Sequence, residues 1–330
     1  MDPWIIGLVA VSAVLHLAWN VRLKTAGDPL RAATIGMVAA SFGIVPLGIV
    51  VWWTGGGDAL PVEGIVLGVA SGFVEAAYFI LLSAAYTRGD LSVVYPVARG
   101  TAPLLAVLIG VLLLGERLGV AGSIGVLMLL AGFLVLQRPW RAIALARSGM
   151  GTTDGGSAGG SAGAAGGARG VAAGARGAAA GARKAAADSA ILFALATGVM
   201  IATYTAIDRV GTRQIDVLVY AAILWATCSV VLVLWVALVA GGDLLRYGPE
   251  AARRAAVGGW LTLAAYLCIL VALSVAPLSG VAPLRESATV FAAAWGSVRL
   301  GEASDRSEAT RRIGASVLIV AGALLLAVGS

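Results

Sequence analysis

Apolar stretches about twenty residues long follow one another along most of the chain, divided by short polar or glycine-bearing breaks. They fall at 4–21, 32–53, 64–86, 91–114, 119–136, 189–207, 217–240, 257–275, 280–298 and 312–328. A helix needs about 20 such residues to cross the hydrocarbon layer, so the pattern predicts an all-α polytopic membrane protein with ten transmembrane helices. The first stretch has the length of a secretory signal, but it opens Met1, Asp2, Pro3 rather than with basic residues, and reads as a helix of the mature protein. The pattern breaks between 138 and 188, where Gly, Ala and Ser are punctuated by Arg. Such a segment buries too little surface to order itself and reads as a flexible linker. Val171 to Lys184 holds enough alanine for transient helix, which the glycines, at about 1 kcal/mol each, weaken.

Five spans lie on each side of this linker, and the halves resemble each other. Ala272 to Glu302 can be laid over Ala85 to Glu116, with Ala272 on Ala85, Leu278 on Leu91, Ser279 on Ser92, Pro283 on Pro96 and Glu286 on Arg99; one gap brings Gly301 and Glu302 onto Gly115 and Glu116. With an odd number of spans each, the halves must run in opposite senses. The expected architecture is two inverted five-helix repeats, 1–137 and 189–330, joined by 138–188, with a substrate site near the midplane where corresponding broken helices meet.

Polar residues inside the spans are the candidates for chemistry. Arg99 lies near the middle of the fourth span between Pro96 and Pro103, where an arginine persists only facing a cavity or a partner. The prolines predict a kinked or locally opened helix around Tyr95 to Thr101. Ser92, Tyr95 and Arg99 share a stripe. In the first span Ser12, His16, Asn20 and Lys24 recur every four residues with Trp19 beside them, a stripe that must face inward. His16, the single histidine, suits proton coupling or an interhelical hydrogen bond; Asn20 and Trp19 suit substrate contact or packing. Ser71, Glu75, Tyr78 and Leu82 share a face of the third span, with Glu75 either a proton carrier or the structural partner of Arg99. In the ninth span Arg285 and Glu286 point about 100° apart on a helix, so one of them can meet Arg99 or Glu75 from the other half. Arg99 and Arg285 then balance Glu75 and Glu286, and arginine's fork favours anionic or zwitterionic substrates. Tyr204 and Asp208 correspond by the repeat to Asn20 and Lys24; Asp208 is either a minor gate or interfacial. Glu116 and Glu302 lie just past their spans, where a carboxylate suits a helix N-terminus. Trp52, Trp53 and Trp140 read as interface anchors.

Composition agrees: 60% of residues are hydrophobic and 12% charged, with a mean hydropathy of +0.95, which excludes a soluble domain. The net charge of +6 does not signal nucleic acid. Outside the spans, the side of the N-terminus carries only Arg117, Arg209 and Arg213, and the remaining basic residues fall on the opposite side. Positive loops stay cytoplasmic, which predicts termini outside and the linker inside, in a plasma membrane. Cys228 and Cys268 read as buried free thiols, and no cofactor or metal is expected. A polytopic membrane enzyme finds no support in metal-binding, phosphate-loop or triad motifs, and a non-transporting scaffold has no need of paired mid-membrane arginines.

The ten spans in five-plus-five order, HLAWN at 16–20 with Lys24 after it, AYTRGDLSVVYP at 85–96 and the paired LGE endings resemble EamA-type members of the drug/metabolite transporter superfamily. The resemblance covers both halves and omits the linker. It implies a secondary transporter of small molecules, with exporters of amino acids and related metabolites prominent among relatives, and a first helix beside the transport path. Protons are the expected coupling ion, and a fused inverted pair works as monomer or homo-oligomer. A flippase for a lipid-linked headgroup is the variant within this class. Several relatives have cytoplasmic termini, the reverse of the charge pattern here.

Overall fold

The computed structural model describes residues 1–24, 26–88, 91–138, 166–239 and 247–286, with 140, 144, 241 and separate positions between 310 and 325. Among them the chain is helical throughout: α1 (Pro3–Lys24), α2 (Pro29–Thr54), α3 (Val62–Arg88), α4 (Leu91–Leu112), α5 (Val120–Gln137), α6 (Gly166–Gly211), α7 (Val217–Leu238), α8 (Pro249–Val275) and α9 (Leu278–Glu286). Five stretches are long and apolar enough to cross a membrane: α2, α3, α7, α8 and Asp188–Gly211 of α6. Shorter apolar stretches, Pro3–His16, Val97–Leu112 and Val120–Gly132, lie in α1, α4 and α5. The ninth predicted span begins in α9 and leaves the described residues after Glu286, and the tenth is described only at separate helical positions.

Local chemistry sets the boundaries. Asp28 caps α2 by accepting from the Arg31 amide at 3.1 Å, with Pro29 in the first turn, and Asp216 caps α7 through the Leu218 amide at 2.8 Å. These side chains satisfy donors that have no partner inside the helix. Among the described residues α4 runs from Leu91 and α9 from Leu278, the two residues that the repeat superposes.

Two expectations change. Of the kink or opening expected at 95–101, the opening does not occur: α4 is helical from Leu91 to Leu112 through both prolines. Each proline removes one ladder bond, and neighbouring helices compensate inside a bundle. The helix α6 starts at Gly166, within the segment read as linker, and continues unbroken into the sixth span. Extending a helix that the span has already nucleated is far easier than starting one, so the alanines before 188 are recruited despite their glycines.

The halves interlock. The helix α1 packs on α8, α2 on α7 and α8, α3 on α6 and α7, and α4 on α6 and α9. Exchanging the halves turns α1 with α8 into α6 with α3, and α2 with α8 into α7 with α3, so the pairing maps onto itself. Polar side chains reinforce the seam. Ser12 donates to the Ala265 carbonyl at 2.7 Å, and the Ser41 and Ser229 hydroxyls are 2.8 Å apart. Large apolar side chains such as Phe42, Leu113 and Leu238 are exposed, whereas Ser71, Glu75, Arg99, Asp208 and Arg285 are buried. Apolar outside and charged inside is the distribution that a lipid solvent selects.

The tightest crossing is α2 on α8 at Gly36 and Gly259. A Cβ on Gly259 would overlap the Gly36 carbonyl, and one on Gly36 would meet the Ala255 oxygen at 2.9 Å. Small residues permit such approach. Gly259→Val is expected to cost about 1–3 kcal/mol through overpacking, read as a lower thermal midpoint in detergent; an unchanged midpoint would show that the crossing tolerates bulk.

Candidate functional site

The inward faces of α1, α3, α4, α6, α7, α8 and α9 bring a charged and aromatic cluster together. On α1 the predicted stripe holds for Ser12, His16 and Trp19. The Arg99 guanidinium of α4 lies against His16 Nε2, and Trp19 Nε1 lies 2.9 Å from His16 Nδ1. Both neighbours are donors, and a neutral imidazole offers one acceptor nitrogen, so only one of these contacts is a hydrogen bond at a time. The side chains of Asn20, Tyr95 and Glu286 lie outside the described residues, as do Ser287, Thr289 and Glu302.

On α3 the face Ser71, Glu75, Tyr78 and Leu82 is buried as the spacing requires. Ser71 reaches α6, donating to Asp208 Oδ1 at 2.5 Å. The Tyr220 hydroxyl of α7 donates to the same oxygen at 2.8 Å, and the Tyr266 hydroxyl of α8 donates to Oδ2. Asp208 is therefore fully buried and held by three hydroxyls from three helices. One turn along α3 from Ser71, Glu75 is 3% exposed, and its Oε2 has no hydrogen-bond partner among the described residues.

Edge-to-face rings run through the middle: Trp19 with Phe79 at 6.2 Å, Tyr78 with Tyr204 at 5.9 Å, and Tyr204 with Tyr266 at 5.7 Å between centroids. The Arg285 guanidinium of α9 sits 5.2 Å from the Tyr266 ring centroid, within cation–π range. Arg99 and Arg285 each line a cavity of about 10 Å³, room for about one water.

A far larger cavity, about 810 Å³, opens between α1, α2 and α8. Its inner wall includes Trp19 and Phe79, its middle is small and apolar (Ala33, Gly36, Gly259), and Arg22, Tyr247, Glu250 and Arg254 stand at its mouth. Arg254 pairs with Glu250 at 2.5 Å, and Tyr247 donates to the Ala26 carbonyl at 2.8 Å. Burial, and then the Asp28 charge, push the Tyr247 hydroxyl above its usual range.

The opposite end is closed by Glu116, just past α4. Its carboxylate accepts from the amides of Leu278 at 2.6 Å and Ser279 at 2.9 Å and from the Ser279 hydroxyl at 2.7 Å, capping α9. Arg209 of α6 meets the same carboxylate at 3.4 Å and donates to the Leu273 carbonyl of α8 at 2.8 Å. A carboxylate at a helix N-terminus was expected; that the helix belongs to the other half was not.

Sequence reasoning undervalued Asp208, because the sixth apolar stretch was bounded at 207 while the helix runs to Gly211. It passed over Tyr220, Trp225 and Tyr266. The signal was there: a tyrosine hydroxyl inside an apolar span needs a buried acceptor.

Comparison with known proteins follows the same division of the chain. The model of the EamA-like transporter family matches residues 3–138 and 188–328. A solved structure, described as "Crystal structure of protein", shares the fold at 20% identity and a TM-score of 0.61, over 98% of this chain and 96% of that one. A search of the curated proteins finds no match. The chain belongs to the EamA-like transporter family, multi-pass membrane transporters of small molecules.

Proposed function

We propose that this protein is a secondary transporter of the plasma membrane that exports amino acids or related anionic or zwitterionic metabolites in exchange for protons, by alternating access. The observation that carries the reading is the buried cluster of two guanidinium and two carboxylate groups, Arg99, Arg285, Glu75 and Asp208, between a wide cavity at one end and the Glu116 closure at the other. A cluster with balanced charge accepts a zwitterion without leaving a net charge in hydrocarbon, and the arginines suit its carboxylate. The self-mapping helix pairing supports ten spans in two inverted repeats, 1–137 and 189–330. With termini outside and 138–188 in the cytoplasm, the cavity mouth faces the cytoplasm, where an exporter loads. Tyr78, Tyr204 and Trp19 supply ring faces for the substrate's apolar part.

The test is thermal stabilisation of the purified protein by a panel of amino acids, organic acids, phosphonates and cationic dyes. A ligand at a hundredfold excess over Kd stabilises by about 2.7 kcal/mol. An anionic or zwitterionic compound is expected to raise the midpoint of the wild type and not of folded Arg99→Ala. Stabilisation by dyes alone, or an equal response of Arg99→Ala, would overturn the substrate class.

A further inference from the structure

The two buried carboxylates of the cluster are held in different ways, and the difference divides their work. Asp208 accepts from Ser71, Tyr220 and Tyr266, with donors on both of its oxygens. Three hydroxyl hydrogens directed at one carboxylate stabilise its anion, which can accept all three. Glu75 sits four residues from Ser71 on the same face, roughly 6 Å along the axis, and its buried Oε2 has no donor among the described residues. A buried carboxylate oxygen without a donor is costly as an anion, whereas an acid hydroxyl at that oxygen removes the charge.

The neighbours of Glu75 leave this assignment in place. Tyr204 and Asp208 of α6, Tyr220 and Cys228 of α7, Tyr266 of α8 and Arg285 of α9 lie within electrostatic reach of it. Arg99 from α4 and His16 from α1 lie against each other in the same cluster. His16 is the rival seat for a proton, but its two ring nitrogens already face the N–H groups of Arg99 and Trp19. A second ring proton would set donor against donor on both sides.

We propose that Glu75 is the proton-binding site of this transporter and that Asp208, held by three donors, stays ionised while Glu75 is protonated. This rests on the proton-coupled reading above and names the group that performs it. The Glu75 carboxylate takes up a proton from water and becomes the neutral acid, and the cluster goes from balanced to one net positive charge. On release the carboxylate reforms and can take the ammonium group of a zwitterion in the proton's place. Proton and substrate amine then compete for one site, which is the condition for exchanging one against the other.

The test is infrared difference spectroscopy of the protein in liposomes, without substrate, stepped from acidic to alkaline pH; the probe is the proton itself. The carbonyl band of a protonated carboxylic acid is expected at acidic pH and lost at alkaline pH in the wild type. The chain has 17 Asp and Glu, and each absorbs as an acid once protonated, so the Glu75 component is read in the wild-type-minus-variant difference: folded Glu75→Gln should lose one component of the band, and Glu75→Asp should shift it in frequency. Should Asp208→Asn fold, it keeps that component. A band undiminished in Glu75→Gln, or a pH-dependent signal from the imidazole ring instead, would overturn the proposal. The titration is read without transport, so failure of the proposed substrate class leaves it standing. Conversely, proton-driven transport undiminished in Glu75→Gln would sink this assignment and spare the transporter reading.

Discussion

Asp208→Ala is expected to lose about 3–6 kcal/mol of stability, much of what a typical protein has. The variant removes the shared acceptor of Ser71, Tyr220 and Tyr266, whose hydroxyls come from α3, α7 and α8. Each buried hydroxyl left without a partner costs about 1–3 kcal/mol, and in a membrane interior little water is at hand to replace the lost acceptor. Asp208→Asn retains one acceptor oxygen but turns an amide N–H toward a donor, so it should fall between wild type and alanine. Thermal unfolding followed by size-exclusion chromatography orders the three. A midpoint for Asp208→Ala within a degree or so of wild type would mean that these hydroxyls find other acceptors and that Asp208 is no hub.

Glu116→Ala should follow closely, at about 2–4 kcal/mol. It strips the cap from α9, leaving the Leu278 and Ser279 amides and the Ser279 hydroxyl without their acceptor, and it removes a carboxylate from Arg209. A lost cap alone costs about 1 kcal/mol, and the orphaned charged neighbour adds to it. The consequence beyond stability is access. With Cys228 and Cys268 replaced and Ser279→Cys introduced, the new thiol should react slowly with a water-soluble maleimide when Glu116 is present and fast in Glu116→Ala. Equal rates would show that Glu116 is a cap and nothing more.

What could be read in advance follows a physical line. The register of Leu91 with Leu278 and the faces Ser12–His16 and Ser71–Glu75–Tyr78 were legible because helical spacing is local: a side chain four residues on must share the face. The family was legible because order and spacing of short motifs survive in sequence. The partner of Ser71 was not, since it depends on which helix of the second half lies opposite. The same holds for Glu116: its residue type predicts a helix N-terminus, but the choice between α5 and α9 is made by packing. Pro96 and Pro103 do not open α4, because a broken ladder bond is expensive in an isolated helix and tolerable among neighbours. The run before 188 misled because composition is judged segment by segment, whereas a helix grows from wherever it has already begun.

The interlocking of the halves also bears on how the molecule comes into being. Ser12, Ser41, Ser71 and Glu116 each make at least one bond that ends in the second half. A ribosome adding roughly 5–20 residues per second completes the first five helices roughly 4–30 seconds before the partners of these side chains exist. During that interval the early helices must sit in the membrane, or beside the insertion machinery, without these cross-half partners. Maturation is therefore an event at the end of translation, and a late truncation strips the first helices of their hydrogen-bond partners as surely as it shortens the last ones.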